Sequence, residues 1–322
     1  MSRVTVEALN HLVNLSFSPT LRSSILGAFA YGSAAIKQAG EQKSKSQLDL
    51  VLVVENAKSW HRENLKINPS HYSKTVRFLG NENFIEQLMT LLPKTSIFYN
   101  TLIPNEDSSG ISNTHFKYGV IDYKLLLQDC ESWKYLYCAG RLHKPVTWFI
   151  MTKPSLFTKA LRQNLASAVA YILITKKYQS PVTLEQLYKD VASISYSGDP
   201  RMSFGEDKKK IESLVKGNDR LELFNRLYSS VWNWPHFSDH LYISNEHVTV
   251  NPNQLSSLLN FLPTTLAESE GSVGSLEQRL QKIVFTNVKG SAEQQAMLAL
   301  MTTDLGKVFS YSFAKIRKML HL

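Results

Sequence analysis

The sequence predicts an α/β first half followed by a helical second half, and three observations carry that reading. The run "LDLVLVV", residues 48–54, is β-branched and apolar at odd and even positions alike, the pattern of an internal strand in a sheet covered on both faces. Around it, stretches of helical spacing alternate with strand-like ones as far as about residue 150. Beyond "RLHKPV" long helical patterns take over.

In chain order, Val6, Leu9 and Val13 give residues 4–15 an apolar helical face, and "ILGAFAY" reads as a strand entering a turn at Gly32-Ser33. "QAGEQKSKSQ" is polar and turn-rich, and the 48–54 strand follows it. Residues 57–67 and 82–92 read as helices; "SIFYNTLI" and "HFKYGVI" read as strands, with "NEDSSGISN" as the hairpin loop between them. The segment from Pro145 to Pro154 is the natural cut. After it, 155–177, 183–194, 206–217 and 219–232 have helical patterns, "HLYISNEHVTV" reads as a hairpin, and the Ser/Gly/Glu-rich 266–275 reads as a linker before further helices. This divides the chain into 1–150, 151–262 and 263–322.

Composition narrows the classes. With 43% hydrophobic and 20% charged residues, the 322-residue chain reads as an ordinary globular protein with more than one domain. Two cysteines, Cys130 and Cys138, make neither a disulfide framework nor a zinc-ligand spacing, so a reducing compartment fits. No window reaches 18 consecutive apolar residues, and "LASAVAYILIT" (165–175) reads as a buried helix. The first residues make a poor transit peptide and no signal peptide. A formal charge of +9 favours a polyanionic partner: nucleic acid, nucleotide phosphates or an anionic lipid surface.

The chemistry-bearing motif is a small-residue turn after a strand, followed by a strand bearing one carboxylate. Backbone N–H groups of such a turn can approach a triphosphate, and the Ser33 hydroxyl adds a donor. A nearby strand carboxylate, Asp49, can hold Mg²⁺. The general nucleotidyltransferase pattern places a second acid two residues on, on the same strand face; here that position is Val51.

The segments "YGSAAIKQAG", "QLDLVLVVENAKSWHRENLKINPSHYS", "FKYGVI", "LYCAGRLHKPV" and "ISYSGDPRMSFGEDKKKI" resemble, in this order, the mitochondrial phosphatidate cytidylyltransferase family. The resemblance is dense over residues 25–215. It implies a nucleotidyltransferase-like mixed-sheet domain followed by a helical winged-helix-like domain, with a site between them; helical spacing adds a C-terminal amphipathic helix. The implied reaction is CTP plus phosphatidic acid giving CDP-diacylglycerol and pyrophosphate, dependent on Mg²⁺ and feeding cardiolipin synthesis. The implied place is the matrix face of the mitochondrial inner membrane, or the cytoplasmic membrane face in a bacterial relative. The family too has an apolar residue two after its strand Asp. Pro200, where an aromatic is usual, and Ala34, where Gly is common, depart from its pattern.

On this footing Asp49 is the expected primary Mg²⁺ ligand, with Gly32 and Ser33 on the β- and γ-phosphates. The second ligand has three candidates: Asp199, which leads, Asp122 and Glu55. Arg201, Lys208, Lys117, Arg141 and Lys144 are candidate phosphate-binding cations, each weighed against ordinary surface charge, and His71 is a candidate nucleotide contact. Near the C-terminus Phe309, Phe313, Ile316 and Leu320 fall on one helical stripe, with Lys315, Arg317 and Lys318 off it. That pattern fits docking on an anionic membrane surface; packing on the protein is the alternative. The competing functions are an RNA or tRNA nucleotidyltransferase and a non-catalytic lipid-binding or assembly protein. Nucleic acid is not the expected partner.

Overall fold

The computed structural model describes residues 4–32, 34–36, 47–79, 83–94, 97–105, 111, 113–178, 181–200, 202, 210–244, 246–251, 254–267 and 274–302. Its centre is a five-stranded mixed sheet of order β3-β4-β2-β1-β5. The strands are β1 (Ile25–Tyr31), β2 (Leu48–Val54), β3 (Ile97–Pro104), β4 (His115–Asp122) and β5 (Thr147–Met151). β2 runs parallel to β4 and antiparallel to β1, which makes the sheet mixed. β2 lies in the middle, and its residues from Leu50 to Val54 are fully buried. Each such aliphatic side chain contributes about 1.5–3 kcal/mol by leaving water, so this strand anchors the first half.

Alternation along the strands sorts two cores. Even positions of β2 and β4 (Leu48, Leu50, Leu52, Phe116, Tyr118) pack against α1 (Val6–Ser16) and α2 (Ala57–Ile67) through Leu9, Val13 and Trp60. Thr5 caps α1 by accepting from the Ala8 N–H, and Asn56 caps α2 by accepting from Ser59. Odd positions (Phe29, Tyr31, Val51, Val53, Ile97, Tyr99, Ile121) face α5 (Tyr123–Ser132) and the second half, in one continuous core. α3 (Lys74–Leu79) and α4 (Phe84–Leu91) form a smaller cluster with Phe98 beside the sheet.

β5 is a departure from the sequence reading. "TWFIM" lies between Pro145 and Pro154, the segment that reads as the cut between the halves, yet it pairs antiparallel with β1 and forms a sheet edge. Nothing local distinguishes it, because its pairing partner lies more than a hundred residues away. The short helix α6 (Ala139–Leu142) precedes it, and α7 (Pro154–Lys176) follows. Residues 164–174 of α7 are buried throughout, as expected of "LASAVAYILIT".

The second half continues with β6 (Val182–Thr183), α8 (Leu184–Ser193), α9 (Asn218–Trp232) and the hairpin of β7 (Leu241–Ser244) and β8 (His247–Val250). β6, β8 and β7 form a small three-stranded sheet. α10 (Leu276–Thr302) then runs along both halves. Its Leu280, Val284 and Val288 join the large core and its Leu298 the α3–α4 cluster. Gln294 accepts from the Lys94 N–H at 2.9 Å, and Asn287 donates to the Trp133 carbonyl at 3.0 Å.

Candidate active site

The site lies at the end of the sheet where β1 exits and β2 enters. Asp49, second residue of β2, has Tyr31 as its Cα partner on β1 and Lys117 as its partner on β4. All three are at odd positions and share the face that looks toward the second half. Gly32 follows Tyr31 with φ +80°, a left-handed backbone that favours glycine. Its carbonyl accepts from Ala35 at 3.2 Å and Ile36 at 3.0 Å, so the chain turns sharply there. A Cβ placed on Gly32 would stand 3.6 Å from Asp49 Oδ2, which sets the exposed turn directly beside the carboxylate.

Val51, where the general pattern has a second acid, is fully buried in the large core. It shares the Asp49 face, but that face is already closed by packing two residues in from the sheet end. Glu55 lies past the far end of β2 and meets Lys153 Nζ at 4.0 Å. Asp122 pairs in register with Val54 at that same far end and caps α5, accepting from the Lys124 N–H at 3.0 Å. Neither joins Asp49.

A floor of tyrosines underlies the carboxylate. The Tyr31 and Tyr99 hydroxyls approach to 3.4 Å, and both rings are buried. Tyr99 lies across β4 over Gly119, where an added Cβ would come within 2.5 Å of the ring; any side chain there would displace it. Two cations rest on this floor. The Arg141 guanidinium is 4.1 Å from the Tyr31 ring centroid and 5.3 Å from that of Tyr137, and Lys117 Nζ is 4.1 Å from that of Tyr99. Among the described residues no carboxylate or hydrogen-bond acceptor meets either charged head, and Arg141 Nε is buried without a partner. Burial raises the Tyr31 phenol well above the ordinary tyrosine range, with Arg141 opposing the shift and Asp49 adding to it. The floor therefore stays protonated and neutral.

Two further residues, silent in the sequence, hold this arrangement. The buried Asp129 carboxylate accepts four backbone N–H bonds, from Tyr135, Leu136, Cys138 and Ala139, at 2.7–3.1 Å. It thereby fixes the loop that leads into α6 and Arg141. Arg220, near the start of α9, is buried and donates to the Ile36 carbonyl at 3.0 Å, bracing the Gly32 turn from the second half. Gly119 inside a strand pattern was a usable signal of close approach; Asp129 and Arg220 carried none.

Asp199 is buried in a turn after α8 and donates its N–H to the Tyr196 carbonyl at 3.2 Å. The preceding Gly198, with φ +84°, lies so close to α10 that an added Cβ would be 2.6 Å from the Phe285 carbonyl. Lys144 Nζ donates to Ser195 Oγ at 2.5 Å and lies 4.5 Å from the Tyr196 ring centroid, so it belongs to this turn. α6 links the two places: Gly140 faces Ser195 while its neighbour Arg141 faces Tyr31.

His71 is corrected. Its Nδ1 is 2.9 Å from the Tyr118 hydroxyl, on the opposite sheet face from Asp49, and burial pushes its pKa down to about 4. It belongs to a buried network with Asn64, Tyr72, Asn100 and His61, a packing role. Ser33, Arg201, Lys208 and the stripe Phe309, Phe313, Lys315, Ile316, Arg317, Lys318 and Leu320 lie outside the described residues.

A family model described as "Phosphatidate cytidylyltransferase, mitochondrial" matches residues 16–318. The chain belongs to the mitochondrial phosphatidate cytidylyltransferase family. Within that family it is similar to the zebrafish (Danio rerio) protein of this name, 33% identical over 91% of this chain and 90% of the relative. It is similar also to that of Xenopus laevis, 31% identical over 95% and 93%. The protein of the same name from Caenorhabditis elegans is 38% identical over 64% of this chain and 60% of its own length. Among the described residues no helix is long and apolar enough to cross a membrane.

Proposed function

We propose that this chain is a phosphatidate cytidylyltransferase of mitochondria, joining CTP and phosphatidic acid to give CDP-diacylglycerol and pyrophosphate. The observation that carries the reading is Asp49 set between an exposed glycine turn and two tyrosine-borne cations, Lys117 and Arg141, that meet no anion among the described residues. Two anions that repel each other must be brought together, and the phosphatidate phosphate is already a nucleophile at neutral pH. Charge neutralisation and in-line alignment are the requirement, and no general base is needed.

The donor set fits Mg²⁺. Among the described residues no group of three or more His, Cys, Asp or Glu is placed to hold a metal. Mg²⁺ is ordinarily held by one or two carboxylates together with substrate phosphates and water, and a single carboxylate beside a phosphate-cradling turn suits that habit. Asp49 would hold the ion, and Asp199 is the proposed second carboxylate, brought in from the second half. When bound, Mg²⁺ would neutralise phosphate charge. Gly32 and Ser33 receive the β- and γ-phosphates, and Arg141 bears on them from above Tyr31. Arg201, Lys208 and Lys144 are proposed to line the wall on the Asp199 side.

The product serves cardiolipin synthesis, and the enzyme works at the matrix face of the inner membrane. The basic, amphipathic sequence at 307–322 is proposed to dock on the anionic surface that supplies the diacyl substrate. The test is pyrophosphate release by purified protein with Mg²⁺, CTP and phosphatidic acid in detergent micelles. Asp49→Asn is expected to lower kcat by about a hundredfold or more, the scale of losing one electrostatic stabiliser. No phosphatidate-dependent release from the unmodified chain would end the proposal.

A further inference from the structure

Asp49 has two unlike neighbours. On the β1 side stand Tyr31, the Gly32 turn and Arg141; on the β4 side stands Lys117, in register with Asp49 and resting on Tyr99. We infer that Lys117, seated on Tyr99, is the acceptor-binding residue: it takes the phosphate of phosphatidic acid, while Arg141 serves the nucleotide.

The inference rests on the function proposed above, with the β- and γ-phosphates on the Gly32 turn, and stereochemistry does the rest. In the transfer, a phosphatidate oxygen forms a new bond to the α-phosphorus of CTP as the bond to the α–β bridging oxygen breaks. The electron pair of that bond leaves with pyrophosphate, and no proton has to move. Attacking and leaving oxygens must lie nearly in line on opposite sides of the α-phosphorus. With pyrophosphate departing over Gly32 and the α-phosphorus above Asp49, the nucleophile has to come from the far side, across β4. The cation in register there is Lys117.

Three features of that side suit a lipid phosphate. The Lys117 ammonium meets no acceptor among the described residues. It is also a compact charge with rotatable donors, able to follow a phosphate as it changes from free monoester to bridging group. Gly119 makes the subsite possible, because only without a side chain there can the Tyr99 ring lie beneath the amine.

The experiment uses the full chain with phosphatidic acid at varied mole fraction in non-ionic detergent micelles, Mg²⁺ and varied CTP. Binding of α,β-methylene-CTP with Mg²⁺ is measured separately by calorimetry. Lys117→Met is expected to raise the phosphatidate KM about tenfold or more, the loss of one charge-assisted contact, and to leave the CTP KM and the analogue Kd within about twofold. Arg141→Met is expected to do the converse, and Lys117→Arg to recover part of the phosphatidate KM. Should Lys117→Met fail to fold, Lys117→Gln carries the same comparison. The inference is overturned if the Lys117 variant weakens analogue binding as much as phosphatidate use, or leaves the phosphatidate KM unchanged. An unmodified chain with no phosphatidate-dependent turnover would overturn the proposed function as well, and the two failures are thereby told apart.

Discussion

Two fully buried histidines make the fold acid-sensitive, and the effect can be worked out. Burial pushes His61 and His143 down to about 3. The His143 Nε2–H donates to Asn164 Oδ1 at 3.1 Å, while its Nδ1 and the His61 Nε2 are buried without partners, so an added proton would have no acceptor. In the unfolded chain both rings take up a proton below about pH 6.5. The folded pKa is the lower one, so stability is full above the unfolded value and is lost as pH falls toward 3. Each group contributes a slope of about 1.4 kcal/mol per pH unit inside that window. Between pH 7 and pH 5 the pair removes about 4 kcal/mol, which is much of the 5–15 kcal/mol of an ordinary domain. His71, pushed down to about 4, acts in the same sense. Urea unfolding followed by circular dichroism at pH 7, 6 and 5 measures the loss. His143→Gln should be less stable at pH 7 yet lose about 2 kcal/mol less than the unmodified chain on going to pH 5. An identical pH dependence in the two proteins would refute the reasoning.

Asp129→Asn leaves two of the four N–H donors facing an amide that cannot accept. It should cost about 3 kcal/mol, read as a lower melting temperature, and should weaken CTP use by loosening Arg141. Gly198→Ala meets both a positive φ and the Phe285 carbonyl, and is expected to destabilise by about 2 kcal/mol or more in thermal melts. Gly119→Ala, by driving Tyr99 off β4, should raise the phosphatidate KM more than the CTP KM in the micelle assay. Truncation after Asp304 should weaken sedimentation with anionic liposomes while leaving Mg²⁺-CTP binding intact; equal sedimentation would count against membrane docking by the tail.

Much of the fold was legible because its signals are local. The 48–54 strand announces itself by apolar residues on both faces, the helix at 57–67 by its helical pattern, and the β3–β4 hairpin by its turn-rich loop. β5 was missed because an edge strand of mixed burial, flanked by prolines, is defined by the hydrogen bonds it receives from β1 and hardly at all by its own residues. The surroundings of His71 were not legible for a related reason. Its neighbours in sequence resemble a nucleotide-binding family, but only the pairing of β4 shows that Tyr118, its partner, points away from Asp49.

By itself the sequence determined the glycine turn, the lone carboxylate and the apolar residue that follows it, since each depends on residue type and a period of two. Which cations stand beside that carboxylate was decided by tertiary structure. Lys117 and Arg141 are 68 and 92 residues beyond Asp49 in the chain, and sheet register and the Asp129-held loop bring them onto Tyr99 and Tyr31. A charge acts through space over a few ångströms, and distance along the chain does not encode that separation.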